Sequence, residues 1–413
     1  MEKKTGESMK KIGFGGKFGK YNGDELNFVK KFFNSENKKD KSINWVIEFE
    51  NSFKKITTHK YAIAINSATS GLHTALKAIG VKKGDEVISP GITVVMDAFA
   101  TIMCDATPVF VDVEKDSFNL DMKDLLKKVT KKTKAIITVS LFGLPCDYDK
   151  IIKFAKKRKI IVIDDSAETL HGFYKKKFSG SQSDIAVYSF ENKKHISAGS
   201  EGGMLTTSNK NLAKKMRKFA GIGYANLTAD SNKSAIKSKN FQNPNYKRHD
   251  TIGLNYRMNQ ISAAVGLAQL RRSKFLVNRR IEVAKIFLNE ISECKWLVPQ
   301  KTNYEYKHSY YSLALKIEKF KNFNFSWEKF YNQYKKFGGD GFYASWVCPF
   351  NEPAISKYLK LNRIKKDKYF CPNSTDLQKR IILIKTNYRN LNEAKYQAKF
   401  LKKTIKFLES NIG

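Results

Sequence analysis

The chain has 413 residues, 41% hydrophobic and 13% aromatic, and its 76 Lys and Arg against 39 Asp and Glu give a formal net charge of +37. That length excludes zinc fingers and disulfide modules, the apolar content excludes a disordered chain, and no run reaches the ~18 apolar residues of a membrane span. The charge raises the prospect of polyanionic partners, but lysine is spread along the whole chain instead of forming a block, as composition alone would also produce.

Residues 1–20 are rich in Lys and Gly and lack an apolar core segment, so they do not read as a secretory signal. Residues 1–55 are expected to form an N-terminal segment packed on the smaller domain. Five cysteines, Cys104, Cys146, Cys294, Cys348 and Cys371, are widely spaced and include no CxxC pair, which predicts free thiols and a cytoplasmic setting.

From Lys60 to Thr207 short β-branched runs alternate with amphipathic stretches. Strands are predicted at 62–65, 86–89, 109–112, 135–140, 160–164 and 185–189. Between them, Leu72, Leu76 and Ile79 share a helical face that stops at Gly80, and Ile151, Phe154 and Ala155 do the same ahead of Ile160. This alternation predicts an α/β body over residues 56–270, with a mostly parallel central sheet, helices on both faces and ligands at the carboxyl ends of the strands.

Residues 224–250 are polar and without apolar period, and read as a long excursion. Helical periodicity resumes at Met258 and runs through Ile261, Val265 and Ala268, with a second helical run over 275–291. From about Trp296, strands such as 310–317 alternate with helices near 327–336 and 391–409. Residues 271–413 are therefore assigned to a smaller C-terminal α+β domain.

Chemistry concentrates in two stretches of the larger body. Asp164-Asp165-Ser166-Ala167-Glu168 closes a predicted strand, where Asp165 can hold a ring nitrogen protonated; Ser189-Phe190-Glu191-Asn192-Lys193-Lys194-His195 offers a partly buried lysine as a Schiff-base amine. Together they describe pyridoxal phosphate chemistry. Taken singly, a strand-end Asp also caps helices and a lysine in so basic a chain is often solvated. A third element, Asn66-Ser67-Ala68-Thr69-Ser70-Gly71-Leu72, places hydroxyls and backbone N–H groups at a helix N-terminus, suited to a phosphate or to an ordinary cap.

With these residues in view, the chain over residues 23–409 resembles the DegT/DnrJ/EryC1/StrS family of sugar aminotransferases, fold-type I pyridoxal-phosphate enzymes working as homodimers. Further matching landmarks are Gly84-Asp85-Glu86-Val87-Ile88, Glu201-Gly202-Gly203-Met204 and Gly253-Leu254-Asn255-Tyr256-Arg257-Met258. The resemblance implies that Lys194 bears the cofactor and shuttles the proton, that Asp165 pairs with the pyridine nitrogen, and that Glu168 stands near the ring hydroxyl. It further implies that Ala68, Thr69, Ser70 and Ser189 hold the phosphate, and that Asn255 reaches it from the partner subunit. Val94 replaces the aromatic residue that often stacks on the ring, and Ala68 replaces the usual Gly.

The implied reaction moves an amino group from glutamate or glutamine to a keto sugar, nucleotide-linked in many relatives, in the biosynthesis of amino sugars for surface polysaccharides or secondary metabolites. His195 and Arg257 are candidate substrate contacts, with Lys247 and Arg248 as further candidates for the donor carboxylate or a diphosphate. Counting back from Glu201 puts His195 in the lysine position, the mark of the family's sugar dehydratases; counting forward from Ser189 puts Lys194 there, and the forward count is preferred. A dehydratase of the same fold and a non-catalytic basic nucleic-acid-binding protein are the alternatives, the latter without any nucleic-acid-binding signature. In the C-terminal part, His308-Ser309-Tyr310-Tyr311, Gly338-Gly339-Asp340-Gly341 and Ala344-Ser345-Trp346 either line the sugar-facing mouth or serve as a tight turn and core.

Overall fold

The computed structural model describes residues 20–21, 23–36, 43–230, 238–318, 327–388 and 390–410; residues 1–19 and 231–237 of the polar excursion fall outside these. Two helices, α1 (Glu25–Glu36) and α2 (Trp45–Lys54), precede the alternating body. The body runs β1 (Tyr61–Ile65), α3 (Ala68–Ala78), β2 (Glu86–Pro90), α4 (Met96–Ile102), β3 (Thr107–Val111), α5 (Met122–Lys128), β4 (Thr133–Val139), α6 (Tyr148–Arg158) and β5 (Ile161–Asp165). Short β6 (Phe173–Tyr174) and β7 (Lys177–Phe178) lead to β8 (Ile185–Ser189), β9 (Gly203–Thr207) and α7 (Lys210–Ala220).

The large sheet has the order β1-β9-β8-β5-β4-β2-β3. Every pairing is parallel except those of β9 with β1 and β8, so the other six strands end on one edge. Side chains alternate across it: Ile63, Ile65, Ile185 and Val187 pack with α3 and α7 on one face, while Ala62, Ala64, Ala186 and Tyr188 face the other. The predicted strands are all present; the strand of this sheet missing from the expectation is β9, which opens at Gly203.

The N-terminal helices correct an expectation. Phe28 of α1 and Trp45, Val46, Phe49 and Phe53 of α2 join the cluster of Tyr188, Phe190 and Met204, so this segment packs on the large sheet and not on the small domain. The small Ala62 and Ala64 leave room there for the rings, and Gly266 lets them close in: a Cβ at that glycine would stand 2.7 Å from the Phe49 ring. The attachment is locked by a buried ion pair, in which Arg217 Nη1 and Nη2 donate to Glu50 Oε1 and Oε2 at 2.9 and 3.0 Å. Glu50 Oε1 also accepts from Ala64 N at 2.9 Å. Glu50→Ala strands the Arg217 charge in the interior, and denaturant unfolding should show a loss of about 3 to 5 kcal/mol.

After a short α8 (Ser238–Phe241) comes α9, Gln260–Glu290, one continuous 31-residue helix where two runs were expected. Its residues through Val277 belong to the core under the large sheet and those from Val283 to the core of the small domain, so the boundary assigned at 270/271 falls inside a helix that serves both. The small domain adds β10 (Leu297–Pro299), β11 (Tyr306–Lys307), β12 (Ser312–Ile317), α10 (Trp327–Lys336), β13 (Tyr343–Ala344), α11 (Pro353–Leu361), α12 (Pro372–Gln378), β14 (Ile381–Lys385) and α13 (Leu391–Ser410). An antiparallel sheet β10-β12-β14-β13 carries its core, and β11 joins β6 and β7 in a three-stranded sheet. Gly338 and Gly341 take φ of 99° and 91°, as a tight turn requires. Among the described residues no helix is long and apolar enough to cross a membrane.

Candidate active site

The carboxyl ends of β1, β5 and β8 meet where the sequence places its chemistry. At the end of β1, Ser67 caps α3 by accepting from Ser70 N at 3.2 Å. The N–H groups of Ala68 and Thr69, first in the helix, have no intrahelical acceptor. Ala68 already lies within the helix, a conformation a Cβ tolerates, so the turn does not need the glycine usual in relatives. Gly203 of β9 pairs with Ile65 on one side and Ser189 on the other. A Cβ on Gly203 would stand 2.9 Å from Ala68 N, so only glycine lets the Ser189 end approach the turn this closely. Ser70 departs from its expected role: its hydroxyl donates to Asn66 Oδ1 at 2.6 Å or to the Ser67 carbonyl at 2.8 Å, which spends its one proton on bracing the turn.

At the end of β5, Asp165 is buried and its Oδ1 accepts from Ala167 N at 2.9 Å. Burial raises this carboxyl above its ordinary range, with Asp164 and Glu168 adding and Ala167 and Lys194 opposing. Such a carboxylate is suited to a cationic N–H partner. Glu168, also buried, accepts from Phe142 N at 3.0 Å on Oε2 and from Lys194 Nζ at 3.3 Å on Oε1. Phe142 adopts φ of 58° to reach it and is covered by Trp346, stacked at 5.4 Å. Trp346 thus serves packing beside the site.

The lysine follows β8. Lys194 Nζ sits between Glu168 and the ring of Tyr311, 4.4 Å from the ring centroid. Burial alone would lower this ammonium, but Tyr311, Glu168 and Asp165 outweigh it and hold its proton above the ordinary lysine range. Lys193 is exposed. His195, expected to touch substrate, instead turns into the interior: it is 3% exposed and its Nε2 donates to the Ser309 carbonyl at 3.0 Å. Burial and the Arg280 charge keep it neutral. The extra residue met in counting back from Glu201 lies in the exposed Gly199–Ser200 turn, with Gly199 at φ 98°.

Other expected residues lie at the rim. Val94 is half-buried after Thr93, whose hydroxyl donates to Asp97 Oδ2 at 2.9 Å. Asp97 was not foreseen: it is fully enclosed behind the site, and burial, with the Asp165 charge adding, raises its carboxyl well above the ordinary range. Asn255 and Arg257 are exposed, with Arg257 Nε donating to Asn255 Oδ1 at 3.0 Å, and Arg257 bridges to Ile65 beside the phosphate-type turn. Lys247 and Arg248 are exposed on the stem of the excursion, where Tyr224 pairs with His249.

Residues 24–396 match the model of the DegT/DnrJ/EryC1/StrS aminotransferase family. The chain is 36% identical over 272 residues to the GDP-perosamine synthase of Escherichia coli O157:H7, covering 66% of this chain and 69% of that protein. It is 42% identical over 229 residues to the GDP-perosamine synthase of Caulobacter vibrioides, covering 55% and 57%. The solved aminotransferase from Psychrobacter cryohalolentis superposes with a TM-score of 0.81 at 25% identity, over 94% of this chain and 97% of that one.

Proposed function

Because the chain belongs to the DegT/DnrJ/EryC1/StrS aminotransferase family, we propose that it moves an amino group from glutamate or glutamine to the keto carbon of a nucleotide-linked sugar, a GDP-linked hexose being the first candidate. It is a pyridoxal-phosphate-dependent sugar aminotransferase. The observation that carries the assignment to particular residues is Lys194 Nζ placed 3.3 Å from Glu168 and within the field of Asp165.

These residues fit the cofactor. A cradle that a Cβ on Gly203 would fill, with the Ala68 and Thr69 N–H groups and the hydroxyls of Thr69 and Ser189 around it, would hold the phosphate. Asp165 would face the ring nitrogen, Glu168 the ring hydroxyl, Val94 the ring itself and Lys194 the aldehyde carbon. Bound there, pyridoxal phosphate supplies a carbonyl that accepts the amino group and a conjugated ring that accepts the electron pair left at the substrate carbon.

The chain's part is to hold and move protons. As the neutral amine, Lys194 Nζ would take the proton from the substrate carbon and deliver it to the cofactor carbon that bore the aldehyde, and Glu168 Oε1 would keep that nitrogen directed into the crevice. Burial raises the Asp165 carboxyl to about 7, so a protonated ring nitrogen facing it would favour the carboxylate and be favoured by it in turn. His195, turned away and neutral, takes no proton from substrate, which argues against the dehydratase alternative.

Arg257 would receive the donor carboxylate or a diphosphate, and Asn255 would serve the site of a second copy. Supporting a homodimer, Ile252 is 94% exposed and Leu254 42% exposed in the same segment, an apolar strip that a second copy would cover. Five free thiols support a reducing, cytoplasmic setting. The test is the product formed from glutamate and a panel of nucleotide-linked keto sugars: an amino sugar from at least one is expected, and release of an unsaturated or deoxy product without nitrogen would favour the dehydratase.

A further inference from the structure

The loop that bears Lys194 is also held from behind. Lys20, just ahead of α1, is buried, and its Nζ donates to the carbonyls of Asn192 at 2.6 Å and Lys194 at 2.9 Å. Tyr21 adds a bond from its hydroxyl to Asn192 Oδ1 at 2.9 Å. From α9, the buried Arg280 donates through Nη2 to the carbonyls of Lys193 at 3.2 Å and Lys194 at 3.5 Å. Its Nη1 reaches the Tyr311 carbonyl at 2.9 Å and the Thr386 hydroxyl at 3.2 Å. The acceptors of both cations are thus main-chain carbonyls and one hydroxyl. An apolar side chain in either place would fill the same space but leave these carbonyls without donors, so what the two cations supply beyond packing is a hold on the main chain of this loop.

The bonded carbonyls stand on either side of the Lys194 Cα. The carbonyl of Lys193 belongs to the peptide plane before it and that of Lys194 to the plane after it. Fixing both planes fixes the direction of the Cα–Cβ bond. We propose that Lys20 and Arg280 are positioning residues for transamination, clamping the carbonyls of residues 192–194 so that Lys194, and not the adjacent Lys193, presents its amine to the crevice. This rests on Lys194 being the cofactor-bearing amine.

Burial pushes the Lys20 ammonium down to about 7, with Arg280 adding and Glu191 opposing. Even as a neutral amine it keeps two N–H bonds for its two carbonyls, so the clamp persists through that titration.

The test compares the full-length wild type with Lys20→Met and Lys20→Arg. In cofactor-free protein, Lys20→Met should speed amide exchange of peptides within 190–198 by about tenfold or more while leaving the strands of the large sheet unchanged. In loaded enzyme, kcat should fall by about tenfold or more with the sugar KM within about twofold, since a misaimed group affects the reacting step more than binding. Borohydride reduction followed by peptide mass spectrometry should then find slower labelling of Lys194 or label on Lys193. Lys20→Arg should restore most of each.

Exchange and kcat equal to wild type would overturn the clamp, as would faster exchange spread evenly over the whole sheet, which is a stability effect. Should Lys20→Met fail to fold, Arg280→Lys carries the same test through the Lys193 and Lys194 carbonyls: faster exchange confined to 190–198 supports the clamp, and unchanged exchange overturns it. A wild type that fixes no cofactor on any lysine would sink the reading of Lys194 instead, with the exchange data still judging the clamp.

Discussion

Lys194→Ala should lower turnover by about 10⁴-fold, because the same nitrogen is assigned both covalent attachment and proton transfer. The fold should survive. Lys194 is held by Glu168, whose other oxygen keeps the Phe142 N–H, so the buried carboxylate retains a donor when the amine is gone. Lys193→Ala is the matched control: that side chain is exposed, and its loss should leave turnover within about twofold. Steady-state rates with saturating cofactor, read beside thermal unfolding of both variants, separate loss of chemistry from loss of structure. Equal effects of the two substitutions would contradict the placement of Lys194.

Asp165→Asn should cost about 10²- to 10³-fold in kcat, the scale of losing one preorganised electrostatic partner in an enclosed site. The amide keeps the shape and can still accept from Ala167 N, but it cannot balance a positive ring nitrogen. Asp165 is also one of the groups that raise the Lys194 ammonium, so the amine should become less basic in the variant. Cofactor affinity should fall much less than kcat, since the turn from Ser67 to Thr69 and the Ser189 end are untouched. A variant with wild-type kcat would remove Asp165 from the reaction.

The parallel body was legible because β-branched strands and helical faces repeat with clear periods, and because the strand-end Asp165 and the turn at Ser67 are local in sequence. What escaped depends on contacts between distant segments. Glu50 and Arg217 lie 167 positions apart and Lys20 and Lys194 lie 174 apart, so no window of sequence joins them. The packing of α2 on the sheet follows from small residues, Ala62, Ala64 and Gly266, whose meaning appears only once the Phe49 ring is beside them. The long α9 looked like two helices because its buried face passes from one core to the other along its length. His195 was misassigned because alternation along a turn is not fixed by residue type; pinned carbonyls decide which side chain faces the crevice. The net charge told least: the buried cations among the described residues are Lys20, Arg217, Lys218, Arg280, Lys316 and Lys385, and the others meet solvent at least in part.

Lys194 alone is assigned the cofactor in this crevice. Titrating pyridoxal phosphate into wild type, Lys193→Ala and Lys194→Ala, and following visible absorption, tests it most directly. A band saturating at one cofactor per chain is expected in wild type and Lys193→Ala, and no such band in Lys194→Ala. A colourless wild type, or a band lost in Lys193→Ala and kept in Lys194→Ala, would contradict it.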